Sequence, residues 1–115
     1  MPSFTHLHVH SDYSLLDGLA RIPDLVATAV ERNFDALALT DHGVMFGAVQ
    51  FFQYARKAGI KPILGCELYV ANRTRRDRDS QVDRKPYHLT ALAENDVGYR
   101  NLVALVSRAQ LEGFY

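Results

Sequence analysis

At 115 residues, 48% of them hydrophobic and 23% charged, the chain is one domain or part of one, with the composition of an ordinary soluble globular protein. Its 13 basic residues balance 13 acidic ones, so any attraction to nucleic acid has to come from a local basic patch rather than a global field. The single cysteine, Cys66, excludes an intrachain disulfide and fits a reducing, cytoplasmic setting, and no apolar run approaches the roughly 18 residues of a membrane span.

Residues 4–9 alternate in the manner of a strand, although the polar partners are histidines. A helix is predicted over residues 22–31, with Pro23 suited to its first turn and Leu25, Val26, Ala29 and Val30 as its apolar stripe. Residues 36–40 form a short apolar run with the character of a buried parallel strand. A second helix is expected over residues 46–58, stopped by Gly59, and a strand over residues 63–70, interrupted at Gly65. Residues 72–85 break the pattern with a polar stretch carrying Arg73, Arg75, Arg76, Arg78, Arg84 and Lys85 among Asp77, Asp79 and Asp83. A strand resumes over residues 87–93. The last helix starts near Asp96 and is expected to bury Leu102, Val103, Leu105 and Val106. Strands alternating with helices imply an α/β class with parallel strands and right-handed crossovers, either an open sheet or part of a barrel.

The chemistry concentrates at a few positions. On a strand, residues two apart share a face, so His6, His8 and His10 are expected to point the same way. Three imidazoles on one face are hard to explain as packing, because each buried ring needs partners for its nitrogens, whereas an HxH pair can place two nitrogens on one metal. Asp41-His42-Gly43 follows the second strand, where sites gather in parallel α/β architectures; helix capping by Asp41 is the competing reading. Glu67 is an acid within an apolar strand, a costly placement unless the carboxylate is paired or coordinated, and a glutamate can bridge two metals. His88 opens the fourth predicted strand. Asp17, before Gly18, either folds back over the site or is simply a turn residue. Cys66 alternates with Glu67 and is read as core. Imidazoles with carboxylates suit zinc, manganese or iron, and so rich a cluster suggests two or more metals acting on a phosphate ester. For the basic stretch, a solvated surface loop is the favoured reading and contact with phosphates through Arg73, Arg75 and Arg76 the other.

His8-Val9-His10, followed by Ser11 and Asp17, and Thr40-Asp41-His42-Gly43 resemble the first two motifs of the PHP (polymerase and histidinol phosphatase) superfamily. The stretches from His10 to Gly18, Phe46 to Ala48, Gly59 to Gly65 and Tyr87 to Thr90 narrow the resemblance to the amino-terminal domain of bacterial DNA polymerase III α subunits. The resemblance implies a distorted barrel of seven strands and seven helices with metals at its open end. It implies His8, His10, Asp17, His42, Glu67 and His88 as ligands of two or three divalent ions, with Glu67 bridging and Asp41 behind the ligands, so that Glu67 and Asp41 are the candidate catalytic residues. It also implies a phosphoesterase, in some members a 3′–5′ exonuclease, within a cytoplasmic polymerase whose partners are DNA and other replisome or proofreading subunits, and no membrane. Because the family draws further ligands from later strands, residues 1–115 are expected to be part of a PHP domain. A free-standing phosphatase of small phosphate esters and a non-catalytic, partner-binding module are the alternative readings.

Overall fold

The computed structural model describes residues 3–113. Six regular elements follow one another: helix α1 (Ile22–Glu31), strand β1 (Ala36–Leu39), helix α2 (Ala48–Ala58), strand β2 (Lys61–Val70), strand β3 (Tyr87–Leu92) and helix α3 (Asp96–Arg108), the last running into a short π-helical stretch, Ala109–Gly113. Among the described residues no helix is long and apolar enough to cross a membrane.

α1 occupies the expected residues, with Pro23 in its first turn. It buries Ile22, Val26 and Ala29, with Leu25 partly covered, whereas Val30 of the expected stripe is exposed. α2 begins two residues later than predicted, since Met45–Gly47 form a turn, and ends at Gly59, whose positive φ of 78° satisfies the last carbonyls without a Cβ penalty. Phe51 and Ala55 of α2 meet Ile22, Val26 and Ala29 of α1 over Leu37 and Leu39 of β1, and Ile60 closes this core. α3 is capped by the Asn95 side chain, which accepts from the Gly98 amide. It buries Leu102 alone; Val103 and Leu105 are exposed, against expectation, because nothing in the described residues covers that face.

The sheet has three strands in the order β1-β2-β3 and is mixed, not wholly parallel. β2 is ten residues long and changes partner at Gly65: Lys61–Leu64 pair in parallel with β1, and Gly65–Val70 pair antiparallel with β3. The apparent interruption at Gly65 is this change of partner. A Cβ there would lie 2.6 Å from the Ala91 carbonyl oxygen and 3.0 Å from Thr40 Cγ2, so glycine lets both neighbours approach. The antiparallel turn-back has a simple cause. Residues 71–86 contain no helix, so no crossover carries the chain back to the start of the sheet.

The first expected strand, residues 4–9, lies alongside β1 without regular pairing. The Ala38 amide bonds His6 O (3.0 Å) and the Thr40 amide bonds Val9 O (2.8 Å), while the Val9 amide is taken by the Thr40 hydroxyl (2.9 Å). The donors are two residues apart and their acceptors three. The segment therefore holds one residue too many for a ladder, which shifts its side-chain phase between His6 and the later histidines.

Candidate metal centre

β1 and β2 continue their parallel register to a bridge three residues past the end of β1. The Glu67 amide bonds Asp41 O (2.9 Å) and the Gly43 amide bonds Glu67 O (2.9 Å), which sets His42 directly beside Glu67. The antiparallel register places Tyr69 opposite His88. Residues 11–20 fold into tight turns, with the Asp17 and Gly18 amides both bonding Ser14 O, and these return Asp17 over the strand ends. A Cβ on Gly18 would lie 1.8 Å from Ser11 O, so this return requires glycine.

The result is a cluster centred on Glu67, which is 6% exposed. Its Oε2 atom lies 2.6 Å from His10 Nε2, 3.1 Å from His8 Nε2 and 3.2 Å from His42 Nδ1; its Oε1 lies 3.3 Å from His88 Nδ1. Asp17 Oδ2 is 2.6 Å from His42 Nε2 and 3.4 Å from His10 Nδ1. Burial alone would raise the Glu67 pKa. Hydrogen bonds from His8 and His10 and the nearby His42 outweigh it and hold the carboxyl below the usual range. The Glu67 side chain is therefore a carboxylate.

Hydrogen bonding within the protein does not account for this packing. One carboxylate oxygen has two lone pairs, yet three imidazole nitrogens crowd Glu67 Oε2. His42 Nδ1 is buried and makes no hydrogen bond, since its approach to Glu67 is not aligned for one. A cation between these atoms would satisfy them. Donors sharing one zinc-sized ion sit roughly 3.3 Å apart, close to most of the separations here. Three groups offer converging donor atoms, all within 4.8 Å of one another: His8–His10–Glu67, His10–Asp17–His42 and His42–Glu67–His88. Shared members make the groups contiguous. The donor set fits metal ions of the zinc, manganese or iron type.

The remaining candidates lie elsewhere. His6, shifted out of phase, packs its ring on Phe4 and Phe34, with centroids 4.7 and 5.4 Å away, and does not join the cluster. Asp41 is 1% exposed and faces the serines of the turn: Oδ1 accepts from the Ser11 amide (2.6 Å) and the Ser14 hydroxyl (2.8 Å), and Oδ2 from the Ser11 hydroxyl (2.8 Å). Ser14 Oγ in turn accepts from the His42 amide (3.1 Å). Asp41 is thus turned toward the serines of the turn and not into the cluster. Cys66 is fully buried on the opposite side of β2 from Glu67, and burial pushes its thiol up to about 11.

The profile of the family described as PHP domain matches residues 6–115, a span that takes in every member of the cluster. The chain belongs to the PHP domain family. Among its relatives, DNA polymerase III subunit alpha of Treponema pallidum is 55% identical over 114 residues, covering 98% of this chain and 10% of that protein. The namesake proteins of Borreliella burgdorferi and Thermus aquaticus are each 51% identical, over 113 and 116 residues, again covering 97% of this chain and 10% of the relative. The chain therefore spans about a tenth of the length of these relatives. Two solved structures share the fold, each with a TM-score of 0.59. An amidohydrolase from Chromobacterium violaceum is 24% identical over 94% of this chain and 34% of its own. A candidate metal-dependent phosphoesterase from Bifidobacterium adolescentis is 19% identical over 89% and 32%.

In this PHP domain the basic loop is tied down by one of its own acids and by Glu112. Arg73 pairs with Asp83, and Arg75 and Arg76 with Glu112 of the π-helical stretch; Asn72 Nδ2 donates to Val82 O and Lys85 O across the loop base. Of the three arginines named as candidate phosphate contacts, Arg73 thus has a carboxylate of its own, while Arg75 and Arg76 share one, with Arg76 3.6 Å from it and largely exposed. Sequence reasoning passed over Tyr69. Its ring stacks on His42 (centroids 5.9 Å, planes 14° apart) and meets His88 edge-on at 5.1 Å. Burial, followed by the charges of Asp17 and Glu67, raises its phenol pKa and keeps it protonated. The signal was available, because Tyr69 lies two residues beyond Glu67 on the same strand and so shares its face.

Proposed function

We propose that this chain is the amino-terminal PHP segment of a bacterial replicative DNA polymerase III α subunit, the first part of a seven-stranded PHP barrel, and that its cluster is a metal-dependent phosphoesterase centre. The observation that carries the chemistry is the single carboxylate of Glu67 set among four imidazoles, three of them on one oxygen. The polymerase assignment is supported by identities near 50% over nearly the whole chain.

His8, His10, Asp17, His42, Glu67 and His88 would hold two or three divalent ions, Glu67 and His42 each belonging to two of the three donor groups. Such ions supply a water of lowered pKa and neutralise the charge that builds on a phosphoryl group during hydrolysis. The chain's own residues define where that happens. The imidazoles and carboxylates converge at the rim formed by the carboxyl ends of β1 and β2, open on the side where His8, Asp17 and His88 are about half exposed. Asp41, through Ser11 and Ser14, fixes the turn that carries Asp17 and the backbone of His42. The substrate of this reading is a DNA 3′ end, and the reaction is removal of nucleotides from it.

The test uses the intact protein purified without chelator or histidine tag. Metal per chain is measured by plasma mass spectrometry, and shortening of a 5′-labelled single-stranded oligonucleotide is followed on gels. The expected result is at least one ion per chain and measurable shortening, both lost in a His8→Ala/His10→Ala variant. A folded, metal-free protein, or shortening that survives the double substitution, would overturn the reading.

A further inference from the structure

We infer that Tyr69 is the specificity-determining residue of this centre, a stacking platform for the base of a nucleotide whose phosphate lies at the cluster. The inference rests on the phosphoesterase reading and adds to it the part of the substrate remote from the reacting bond.

Tyr69 follows Glu67 by two residues on β2, so it projects from the same face of the sheet one step nearer the strand end. It stands directly opposite His88 in the antiparallel register. Its ring is fixed from several directions. His42 stacks on it, His88 meets it edge-on, and Gly43 leaves room for it, because a Cβ on Gly43 would lie 2.7 Å from Tyr69 Cε2. A phenol wedged between two imidazoles for packing alone would be expected to be covered. Tyr69 is instead 53% exposed, and it stands beside an accessible side of the cluster, where the His88 side chain is itself 47% exposed. A ring that is immobilised and still open costs little conformational entropy when it takes up a planar partner. Bases of any sequence have such a planar face, and their stacking on aromatic side chains is tolerant of sequence. A ligand with its phosphate at Glu67 and its base one residue along the strand would fit this order of groups.

The competing role for Tyr69 is to hold His42 and His88 in place, with no contact to substrate. The two are separated by titration calorimetry on the manganese-loaded intact protein, with thymidine 5′-monophosphate and methyl phosphate as probes. Heats are taken relative to the His8→Ala/His10→Ala variant, so that nucleotide binding elsewhere is subtracted. The expected result is tighter binding of thymidine monophosphate than of methyl phosphate. Tyr69→Ala should then weaken the nucleotide by about tenfold, the scale of one base–aromatic stack, while methyl phosphate affinity and metal content stay unchanged. Tyr69→Phe should bind as wild type does. Equal weakening of both probes, accompanied by metal loss, would make Tyr69 a support for the imidazoles and overturn the inference. So would equal affinity of the wild type for the two probes. A wild-type protein that holds neither manganese, zinc nor iron sinks the phosphoesterase reading itself, a failure distinct from either.

Discussion

Ser11 and Asp41 are joined twice, the Ser11 amide donating to Oδ1 at 2.6 Å and its hydroxyl to Oδ2 at 2.8 Å, and the Ser14 hydroxyl adds a further bond to Oδ1. The three donors belong to the turn that carries Asp17, so a buried carboxylate outside the cluster organises part of it. Asp41→Ala leaves these donors unsatisfied in a dry site, at about 1–3 kcal/mol each and with partial relaxation, so a loss of about 3 kcal/mol or more is expected. Metal affinity should also fall, by about 10–100-fold, the range for groups that orient ligands. Urea unfolding and metal titration of the variant check both. Unchanged stability would mean that the serines find other partners and that Asp41 does not hold the turn.

Glu67 and His88 are predicted to differ in how much metal they control. Glu67 belongs to two of the three donor groups and His88 to one. Glu67 is buried, whereas His88 stands at the rim. Glu67→Gln should therefore lower metal content at more than one position, with affinity falling by at least about 100-fold, and His88→Ala should release a single, weaker ion. The measurement is ions per chain across a dialysis series of free metal. Equal losses in the two variants would show that Glu67 is not shared.

Much of the fold can be read from local patterns, and its departures have local causes. α1 lies where Pro23 and the apolar spacing of Leu25, Val26, Ala29 and Val30 put it, although Val30 is exposed, because a helix entry and an apolar stripe are encoded within ten residues. The direction of β3 was not legible in this way: alternation marks a strand without marking its orientation, and only the absence of a helix between residues 71 and 86 hints at the turn-back. The buried face of α3 failed for another reason. Val103 and Leu105 are apolar, but burial needs a covering element, which a helical pattern cannot supply. At the site, His8 and His10 were legible from strand alternation, whereas the phase shift that removes His6 depends on the Thr40 hydroxyl taking the Val9 amide, a tertiary contact. Asp17 shows the limit most clearly. As a residue before glycine it reads as an ordinary turn, and its distance of 2.6 Å from His42 arises from the fold of residues 11–20.

The basic loop is predicted to open in acid. Hydrogen bonding to Arg75 holds the Glu112 carboxyl below its ordinary range, and hydrogen bonding to Arg73 does the same for Asp83. Groups with depressed values keep their interaction above the unfolded pKa and lose it as pH falls through the folded one, so both clamps are intact at pH 7 and fail only once the pH falls below the ordinary carboxylate range. Amide exchange of the loop, corrected for intrinsic rates, should show protection at pH 7 that is lost progressively in a pH series carried below the ordinary carboxylate range; the Asp79 amide, bonded to Asp83 Oδ2 at 2.8 Å, is the reporter for the Asp83 clamp. Glu112→Gln should release the Arg75 and Arg76 side at neutral pH and expose those arginines to trypsin. Wild-type cleavage rates in that variant would show that the Glu112 contacts do not restrain the loop.

Gly18 is predicted to be irreplaceable even though it offers no donor atom to the cluster. Its amide bonds Ser14 O at 2.7 Å, and any Cβ would strike the Ser11 carbonyl oxygen, a backbone atom that cannot swing aside. Gly18→Ala must push apart residues 11 and 18, which disturbs the two points that position Asp17: the Ser11–Asp41 bonds and the turn itself. Overpacking of this kind costs roughly 1–3 kcal/mol, and metal affinity at the His10–Asp17–His42 group should fall more than about tenfold. Leu16→Ala is the control. Leu16 lies in the same turn and is fully exposed, so its truncation should change neither stability nor metal binding. Thermal unfolding and metal titration of the two variants decide the matter. If Gly18→Ala behaves like Leu16→Ala, the turn has slack and Asp17 is not held by it. If Gly18→Ala alone loses the ion while the helical core stays folded, the turn sets the position of Asp17 in the cluster.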